Sequence, residues 1–396
     1  MTIPTVDRLD LRGKRVFCRV DYNVPMEDGE VTDTTRIEAT LPTIRFLRER
    51  GARIILAAHF GRPKGRRTEK DSLAPVRRRV GEILGSEVRG ADDCIGPEVE
   101  AAAADLEDGE ILLLENLRFH PGEEKNDPAF ARSLRALADV YVNDAFGASH
   151  RAHASIDALP RLFATGEKAG GYLLARELEF LQKVTGSADH PFVAVLGGAK
   201  IAGKIEPLEV LANKADMLLI GGGMANTFLA AEKVEMGSSL VDRDSIEVAR
   251  RILDRGKAEI VLPLDLVTGR SLDDSEGEIA NREDGVPEGR MALDIGPRTA
   301  EEFRKRLEGA KLVFWNGPMG VFEKEPFARG TRAVAGAIAS LSGATTIVGG
   351  GESVEAVKAS GFADRISHIS TGGGASLEFI AGEALPGVEA LVAQAG

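Results

Sequence analysis

Cysteine is scarce in this sequence of 396 residues, which contains only Cys18 and Cys94. Two cysteines are too few for the disulfide framework of a small secreted fold. The first ten residues lack the basic and then apolar pattern of a secretory signal, and no apolar run approaches the ~20 residues of a membrane-spanning helix. These absences predict a soluble protein of the reducing cytoplasm.

Positive charge is also in deficit, with 50 Lys and Arg against 62 Asp and Glu and a net charge of -12. Such a chain repels phosphate polymers and anionic membranes unless its basic residues are concentrated in one place. The basic stretch 62–70 contains Glu69, precedes Asp71 and has no aromatic residue, which is typical of a solvated loop. We therefore expect no nucleic-acid partner and no membrane partner.

Short apolar runs recur along the chain, with helical patterns between them. Runs that are apolar on both faces and separated by crossover-length segments are typical of buried parallel strands. The sequence therefore predicts an α/β fold of two Rossmann-like domains, each a parallel sheet covered by helices. The predicted strands are Arg15–Val20, Arg53–Ala58, Ile111–Leu114, Val140–Asn143, Phe192–Leu196, Met217–Ile220, Ile260–Leu262, Leu312–Trp315 and Thr346–Val348.

A domain boundary is expected where a helix is predicted over Glu167–Thr185, with an apolar stripe at Leu174, Leu178 and Leu181 and an end at Gly186. The predicted organisation is an N-terminal domain 1–170, an interdomain helix 171–186 and a C-terminal domain 187–375. For the remaining segment 376–396, packing back on the first domain is an option that periodicity alone does not decide.

Cationic and hydrogen-bonding side chains follow the strands of the first half. Ligands of open α/β sheets bind at the carboxyl ends of the strands, and the arginine fork matches carboxylate and phosphate oxygens. A single arginine of this kind is readily explained as a surface residue, but several at one edge predict a site for a small, highly charged anion. The arginines are Arg19, Arg36, Arg62, Arg118 and Arg151.

Glycine follows the strands of the second half instead. The chain has 45 glycines where average usage predicts roughly 28. A single glycine cluster is readily explained by a tight turn. Several clusters predict that backbone amides approach a phosphate closely, and they therefore predict a nucleotide site. The clusters are Gly197, Gly198 and Gly203, then Gly221–Gly223, Gly317 with Gly320, Gly349–Gly351, and Gly372–Gly374.

Two nucleotide-binding motifs are incomplete or missing. Gly198 to Lys204 nearly matches the phosphate loop, but Ile205 stands where a metal-binding hydroxyl is required. The best candidate to hold magnesium is then the carboxylate of Glu352. The alternative explanation for Glu352 is that an acidic residue at the start of a helix interacts favourably with the helix dipole. No G-x-G-x-x-G fingerprint follows a predicted strand, which disfavours, without excluding, a nucleotide-dependent dehydrogenase of two domains.

Six motifs together resemble phosphoglycerate kinase, in the right order and over nearly the whole chain. They are Arg-Val-Asp-Tyr-Asn-Val-Pro at 19–25, His-Phe-Gly-Arg-Pro at 59–63, Glu-Asn-Leu-Arg-Phe-His at 115–120, Gly-Gly-Ala-Lys at 197–200, Asn-Gly-Pro-Met-Gly-Val-Phe-Glu at 316–323, and Ser-Thr-Gly-Gly-Gly-Ala-Ser at 370–376. The resemblance implies reversible, Mg²⁺-dependent phosphoryl transfer from 1,3-bisphosphoglycerate to ADP, giving 3-phosphoglycerate and ATP in glycolysis and gluconeogenesis.

The resemblance also implies the roles of individual residues. The 3-phosphoglycerate ligands would be Asp21, Asn23, Arg36, His59, Gly61, Arg62, Arg118 and Arg151. The catalytic groups would be Arg36, Lys200 and Gly373. The nucleotide ligands would be Lys200, Lys204, Ala292, Asn316, Glu323, Gly349, Gly350, Gly351, Glu352 and Ser353, with Glu352 also the Mg²⁺ ligand.

Two positions depart from the family pattern, since Glu352 replaces the usual Asp and Ala292 a usual glycine. Because of these departures, one alternative function remains: the protein is a relative of the family that binds nucleotide but has altered catalysis. Because the cationic residues and the glycine clusters lie in different halves, we expect domain closure before transfer. We expect a monomer.

Overall fold

The computed structural model describes residues 2–186 and 189–392, which fall into two compact units. Of the described residues, 2–179 and 384–392 form the first unit, and the others form the second. In the part of the chain so described, no helix is both long enough and apolar enough to cross a membrane.

The first unit is built on a parallel six-stranded sheet in the order β5-β6-β4-β1-β7-β8. A small antiparallel hairpin pairs β2 with β3. The strands are β1 Arg15–Val20, β2 Met26–Glu27, β3 Glu30–Val31, β4 Arg53–Ala57, β5 Arg89–Gly90, β6 Ile111–Leu113, β7 Val140–Asp144 and β8 Lys168–Gly170.

Helices follow the strands of this sheet and bury an apolar core against them. They are α1 Thr35–Glu49, α2 Ala74–Leu84, α3 Pro97–Ala104, α4 Pro121–Glu124, α5 Pro128–Arg135, α6 Ala158–Arg161, α7 Tyr172–Thr185 and, near the C-terminus, α15 Pro386–Val392. The boundary between the units falls within α7. Helix α15 is tied to the first unit because Gly387 N–H donates to Ser149 O at 2.9 Å and Asn143 Nδ2 donates to Gly387 O at 3.1 Å.

The second unit contains a parallel six-stranded sheet in the order β11-β10-β9-β15-β16-β17 and an antiparallel sheet in the order β13-β12-β14. The strands are β9 Phe192–Leu196, β10 Met217–Ile220, β11 Glu259–Val261, β12 Asp265–Gly269, β13 Glu278–Asn281, β14 Met291–Ile295, β15 Leu312–Asn316, β16 Thr345–Gly349 and β17 His368–Ile369. The helices are α8 Ile205–Lys214, α9 Gly222–Ala231, α10 Ile246–Arg255, α11 Pro297–Leu307, α12 Arg329–Ala339, α13 Gly351–Ala359 and α14 Gly374–Ala381.

The predicted α/β class and its parallel strands are confirmed, and the differences lie at the edges. The helix expected from Glu167 begins only at Tyr172, because Lys168–Gly170 pairs with β7 as an edge strand. The antiparallel sheet was not predicted. Its strands are short and partly exposed, with Glu278 and Ile279 open to solvent, so they lack the continuous apolar run of a parallel strand.

Each parallel sheet has a point where the strand order reverses. In the first unit, the chain leaves β1 toward β4 on one side and later returns to β7 on the other. In the second unit, β10 and β15 lie on opposite sides of β9. Ligands of open α/β sheets bind in the crevice at such points. The fold therefore directs attention to the loops after β1 and β7, and to those after β9 and β15.

Candidate functional site

The loop after β1 holds an ion pair at the reversal point of the first sheet. Arg36, at the start of α1, places Nη1 3.1 Å from Asp21 Oδ2 and donates to Asn23 O at 3.0 Å. The side-chain oxygen of Asn23 accepts the N–H of Gly61, which follows β4, at 2.9 Å. Four of the predicted acid ligands are thus linked by direct contacts.

His59 follows β4 and is almost completely buried at 7% exposure. Its Nδ1 lies 3.1 Å from Nη2 of Arg19 and 3.9 Å from Asp21 Oδ1. Burial lowers the pKa of His59 well below its usual value, and the positive charges of Arg19, Arg118 and other cations lower it further. His59 is therefore neutral at physiological pH.

Arg118 is a buried guanidinium with an unused donor. Its Nη1 donates to Gly61 O at 2.8 Å, and its Nε lies 3.4 Å from Glu124 Oε1 but has no hydrogen-bond partner among the described residues. Burial lowers its pKa, and neighbouring Arg19 and Arg151 act in the same direction. A buried cation with an unsatisfied N–H near other cations is poised for an anionic ligand.

The remaining predicted acid ligands lie at the exposed rim. Arg151 is exposed, and its Nε donates to His150 Nε2 at 3.0 Å. The charge of Arg151 lowers the pKa of both Arg118 and His153, so Arg151 lies near these two buried side chains. Arg62 is exposed after β4, and its link to the other predicted ligands is that it follows Gly61 in the chain.

Glycine loops of the second unit border a cavity of about 710 Å³. Gly197 directly follows β9 and Gly317 directly follows β15, and the two backbones pass so closely that a Cβ on Gly317 would lie 2.2 Å from Gly197 O. Only glycine permits this approach. The predicted ligands Ala292, Glu323 and Glu352 line the cavity, together with Gly198 and Gly223. The loops after β9 and β15 therefore open on one space.

Lys204 and Glu352 bring opposite charges to Gly198, which lines this cavity. Lys204 donates from Nζ to Gly197 O at 3.2 Å, and its pKa is lowered by burial while the Glu352 charge opposes that shift. A Cβ on Gly198 would be 3.2 Å from Lys204 Nζ and 4.0 Å from Glu352 Oε2. The ammonium and the exposed carboxylate, which is in the first turn of α13, therefore both lie close to Gly198.

Asn316, the last residue of β15, has a buried donor without an acceptor. Its Nδ2 finds no hydrogen-bond partner within residues 2–186 or 189–392. A Cβ on Gly350, whose φ is 86°, would lie 3.0 Å from this atom. Ser353 is different, because its buried Oγ accepts the N–H of Gly317 at 2.5 Å. Asn316 is thus available to a ligand, while the Ser353 hydroxyl holds the neighbouring loop.

The other predicted nucleotide and catalytic residues lie around these loops. Lys200 is exposed between β9 and α8, and Gly349 ends β16. Gly351 begins α13, and Gly373 precedes the first residue of α14. Ala292 is held by its N–H, which donates to Ser239 Oγ at 2.8 Å. None of these positions contradicts the sequence-based assignment.

A second cavity, of about 760 Å³, lies elsewhere in the second unit, beside β12 and α11. One of its lining arginines, Arg304, is paired with Glu301 at 2.8 Å and with Glu308 at 2.5 Å. Among the described residues, its lining includes neither the Gly198 loop after β9 nor the loop that follows β15. The glycine-lined cavity is therefore the stronger candidate for a phosphate-bearing ligand.

Sequence reasoning missed residues that shape both sites. Asp294, Ser239 and Leu240 line the glycine-rich cavity. The Leu-Asp-Ile-Gly-Pro segment at 293–297 could have indicated Asp294, whereas no motif marks Ser239 or Leu240. The sequence pattern groups Arg19 with the other arginines of the predicted anion site, but Arg19 is fully buried. Its position inside an otherwise apolar strand could have indicated this burial.

Comparisons with known proteins agree with the motifs. A family model described as phosphoglycerate kinase matches residues 6–383. The phosphoglycerate kinase of Moorella thermoacetica is 54% identical over 390 residues, which cover 98% of each chain. That of Anaeromyxobacter dehalogenans is 52% identical over 396 residues, covering 98% of this chain and 99% of the relative.

Solved structures agree as well. Phosphoglycerate kinase from Coxiella burnetii matches with a TM-score of 0.89 at 36% identity over 100% of both chains. The enzyme from Pyrococcus horikoshii matches with a TM-score of 0.88 at 34% identity over 98% of both. The dehydrogenase and the altered relative are not favoured. The chain belongs to the phosphoglycerate kinase family and is, with it, a phosphotransferase that uses a carboxyl group as acceptor.

Proposed function

We propose that the first unit binds 3-phosphoglycerate or 1,3-bisphosphoglycerate and that the second binds ADP or ATP, for reversible phosphoryl transfer in glycolysis and gluconeogenesis. The observation that carries the proposal is the buried guanidinium of Arg118, which follows β6, donates to Gly61 O and lies among other cations. Its Nε has no hydrogen-bond partner among the described residues and lies 3.4 Å from Glu124 Oε1. Such a site suits a small anion of high charge.

The acid would be held from several sides. Arg118 offers Nε, His59 offers a neutral ring, and the linked Asp21, Asn23, Arg36 and Gly61 present a preformed edge. Arg62 and Arg151, whose side chains are exposed, would contact the ligand from the rim. Arginine suits this task because its fork donates to two oxygens of a phosphate or carboxylate at once.

The nucleotide phosphates would lie along the glycine loops. Lys204 supplies a charge, Asn316 donates from Nδ2, and the backbone amides of Gly349, Gly350 and Gly351 precede and begin α13, whose positive terminus favours phosphate. The hydroxyl of Ser353 supports the loop through Gly317. Ala292 and Glu323 line the same cavity and would contact the base and ribose side of the nucleotide.

Glu352 is the residue that would hold Mg²⁺. Its carboxylate is a hard oxygen donor, it is exposed at the cavity, and it lies near the phosphate-binding Lys204. These features fit a metal that takes one or two carboxylates and completes its shell with phosphate oxygens and water. Bound there, Mg²⁺ would neutralise charge on the nucleotide phosphates.

Arg36, Lys200 and the backbone of Gly373 would stabilise the phosphoryl group in transfer. The acceptor is already an anionic carboxylate or phosphate oxygen, so a general base is not needed. Alignment and positive charge then supply the catalysis. Because the acid and nucleotide ligands belong to different units, transfer would require domain closure.

The organisation that goes with this function is an acid-binding domain 1–170, an interdomain helix 171–186, a nucleotide-binding domain 187–375 and a C-terminal segment 376–396. We propose a cytoplasmic monomer. Size-exclusion chromatography with light scattering tests the oligomeric state, and a dimer mass would contradict it.

A coupled assay with 3-phosphoglycerate, ATP and Mg²⁺ tests the function. We expect product formation that depends on all three components. Replacing 3-phosphoglycerate by 2-phosphoglycerate is the control, because it keeps the charge but moves the phosphate. Equal rates with both acids, or no rate with either, would contradict the proposal.

A further inference from the structure

Arg19 contacts His59 of the proposed acid site, and Ser155 and Glu123 hold its guanidinium on the side away from His59. It is fully buried within β1. Its Nε donates to Ser155 Oγ at 2.8 Å, and Ser155 Oγ in turn donates to Glu123 Oε1 at 2.5 Å. Ser155 N–H donates to the other carboxylate oxygen of Glu123 at 2.9 Å. The guanidinium therefore has one fixed orientation.

The front of this guanidinium faces His59. Nη2 of Arg19 lies 3.1 Å from Nδ1 of His59, while Nη1 donates to the carbonyl of Val20. An arginine side chain has only donors and does not lose its proton in a protein. Nδ1 of His59 must therefore accept, so its lone pair points at Arg19. The proton of the neutral ring is then on Nε2.

We propose that Arg19 is a positioning residue that fixes His59 as the neutral tautomer with its proton on Nε2, so that His59 offers the acid a hydrogen-bond donor. This inference rests on the proposed role of His59 as an acid ligand. A free neutral imidazole exchanges between tautomers, and the other one would present a lone pair toward the anion. The contact with Arg19 removes that alternative.

The charged groups around His59 oppose its protonation. Arg19 on β1, Arg118 after β6, Arg36 on α1 and His153 after β7 all lower its pKa, in addition to burial. Asp21 Oδ1 lies 3.9 Å from Nδ1 and favours the charged ring, but the other oxygen of Asp21 is engaged by Arg36 at 3.1 Å. His59 therefore donates without changing its charge across the physiological range.

Nitrogen-15 NMR of the histidine side chains tests the tautomer in the whole protein, with His59→Gln to assign the signals. Between about pH 5 and 8, we expect Nδ1 of His59 to show the shift of an unprotonated ring nitrogen and Nε2 that of a protonated one. A protonated Nδ1, or an ordinary histidine titration in this range, would overturn the proposal.

A pair of variants isolates Arg19. Arg19→Met alone would leave Glu123 buried without its cation and endanger folding, so the variant is R19M combined with E123Q, and the control is E123Q alone. We expect the control to keep the tautomer and the double variant to show a mixture. The KM for 3-phosphoglycerate should rise by about 3- to 10-fold in the double variant, with a smaller change in kcat.

The pH dependence separates positioning from a general loss of structure. The KM for 3-phosphoglycerate should vary with pH more steeply in the double variant than in the control. Titration of the substrate affects both proteins equally, so it does not contribute to this difference. An unchanged tautomer in the double variant would remove Arg19 from this role.

Adding 3-phosphoglycerate during the NMR experiment tests the underlying function separately. The Nε2 signal of His59 should move on saturation. A signal that stays in place, with the expected tautomer, would refute the assignment of His59 as an acid ligand and with it the functional purpose of Arg19. A signal that moves, with the other tautomer, would refute the positioning role while leaving the acid site intact.

Discussion

The carboxylate of Asp21 lies 3.1 Å from the guanidinium of Arg36, which also donates to the carbonyl of Asn23 at 3.0 Å. Both of these contacts use the same nitrogen, Nη1. Because arginine has further donors on Nε and Nη2, the pair fixes the side chain at the end of β1 while leaving donors for a ligand.

Replacement of Arg36 by Ala should lower kcat by about 100-fold and change the affinity for 3-phosphoglycerate much less. The reason is that its charge is needed mainly in the transition state. Arg45→Ala is the matched control, since Arg45 is exposed on the same helix. Steady-state kinetics measure both parameters. Equal losses in turnover and binding would contradict this role.

Arg118→Ala should raise the KM for 3-phosphoglycerate by roughly 10- to 100-fold, the range for a lost hydrogen bond to a charged group. Arg132→Ala, at an exposed site on α5, should leave KM unchanged. Calorimetric titration with the acid gives the same comparison without turnover. Wild-type affinity in Arg118→Ala would remove this residue from the site.

Gly350→Ala should weaken ATP binding, because its Cβ would lie 3.0 Å from Asn316 Nδ2 and occupy space beside that donor. Gly343→Ala has a comparable φ of 74°, but a Cβ there would meet no atom of the described chain within 4 Å. Both should lose stability from backbone strain, on the order of 1 to 3 kcal/mol. Only Gly350→Ala should raise the KM for ATP, on the order of tenfold. Equal KM values in the two variants would contradict the assignment.

Glu352→Ala should raise the Mg²⁺ concentration needed for half-maximal activity, because a carboxylate ligand is lost. Glu352→Asp keeps the charge and should retain most of the metal response. Glu355→Ala, exposed on the same helix, is the control. Activity followed across a Mg²⁺ titration measures the effect, and superimposable curves for Glu352→Ala and wild type would reassign the ligand.

Asp144→Asn should change the pH dependence of stability. Burial raises the pKa of Asp144 to about 7, although hydrogen bonds from Thr43 and the backbone of Leu174 and Leu173 oppose the shift. The folded state thus holds a proton that the unfolded state releases near pH 4. Stability from this group is present at low pH and is lost as pH rises toward 7, by on the order of a few kcal/mol.

The free energy of urea unfolding at several pH values measures this. Relative to wild type, Asp144→Asn should gain stability as pH rises from about 4 to 7. Asp139→Asn should behave in the opposite way. Hydrogen bonding to Arg15 lowers the pKa of Asp139, so that variant should lose stability at neutral pH and approach wild type in acid. A constant difference between Asp144→Asn and wild type would refute the assignment.

Much of the fold could be predicted because the parallel strands are apolar on both faces. Strands such as β9 and β10 match their predicted bounds without change. The edge strands β5 and β17 were missed because two residues carry no periodicity. The antiparallel sheet was missed because its strands are short and partly exposed and lack a continuous apolar run.

The sequence by itself determined the α/β class, the family, and which loops carry cations or glycine, because these follow from local apolar runs and from motifs at the ends of strands. Only the tertiary structure decided which of these charges are buried and which are exposed. In the sequence, Arg19 and Arg62 are both arginines near the end of a predicted strand. In the structure, Arg19 is fully buried and Arg62 is exposed. Their difference arises because Ser155, Glu123 and His59 converge on Arg19 from distant positions, and local patterns do not report such contacts.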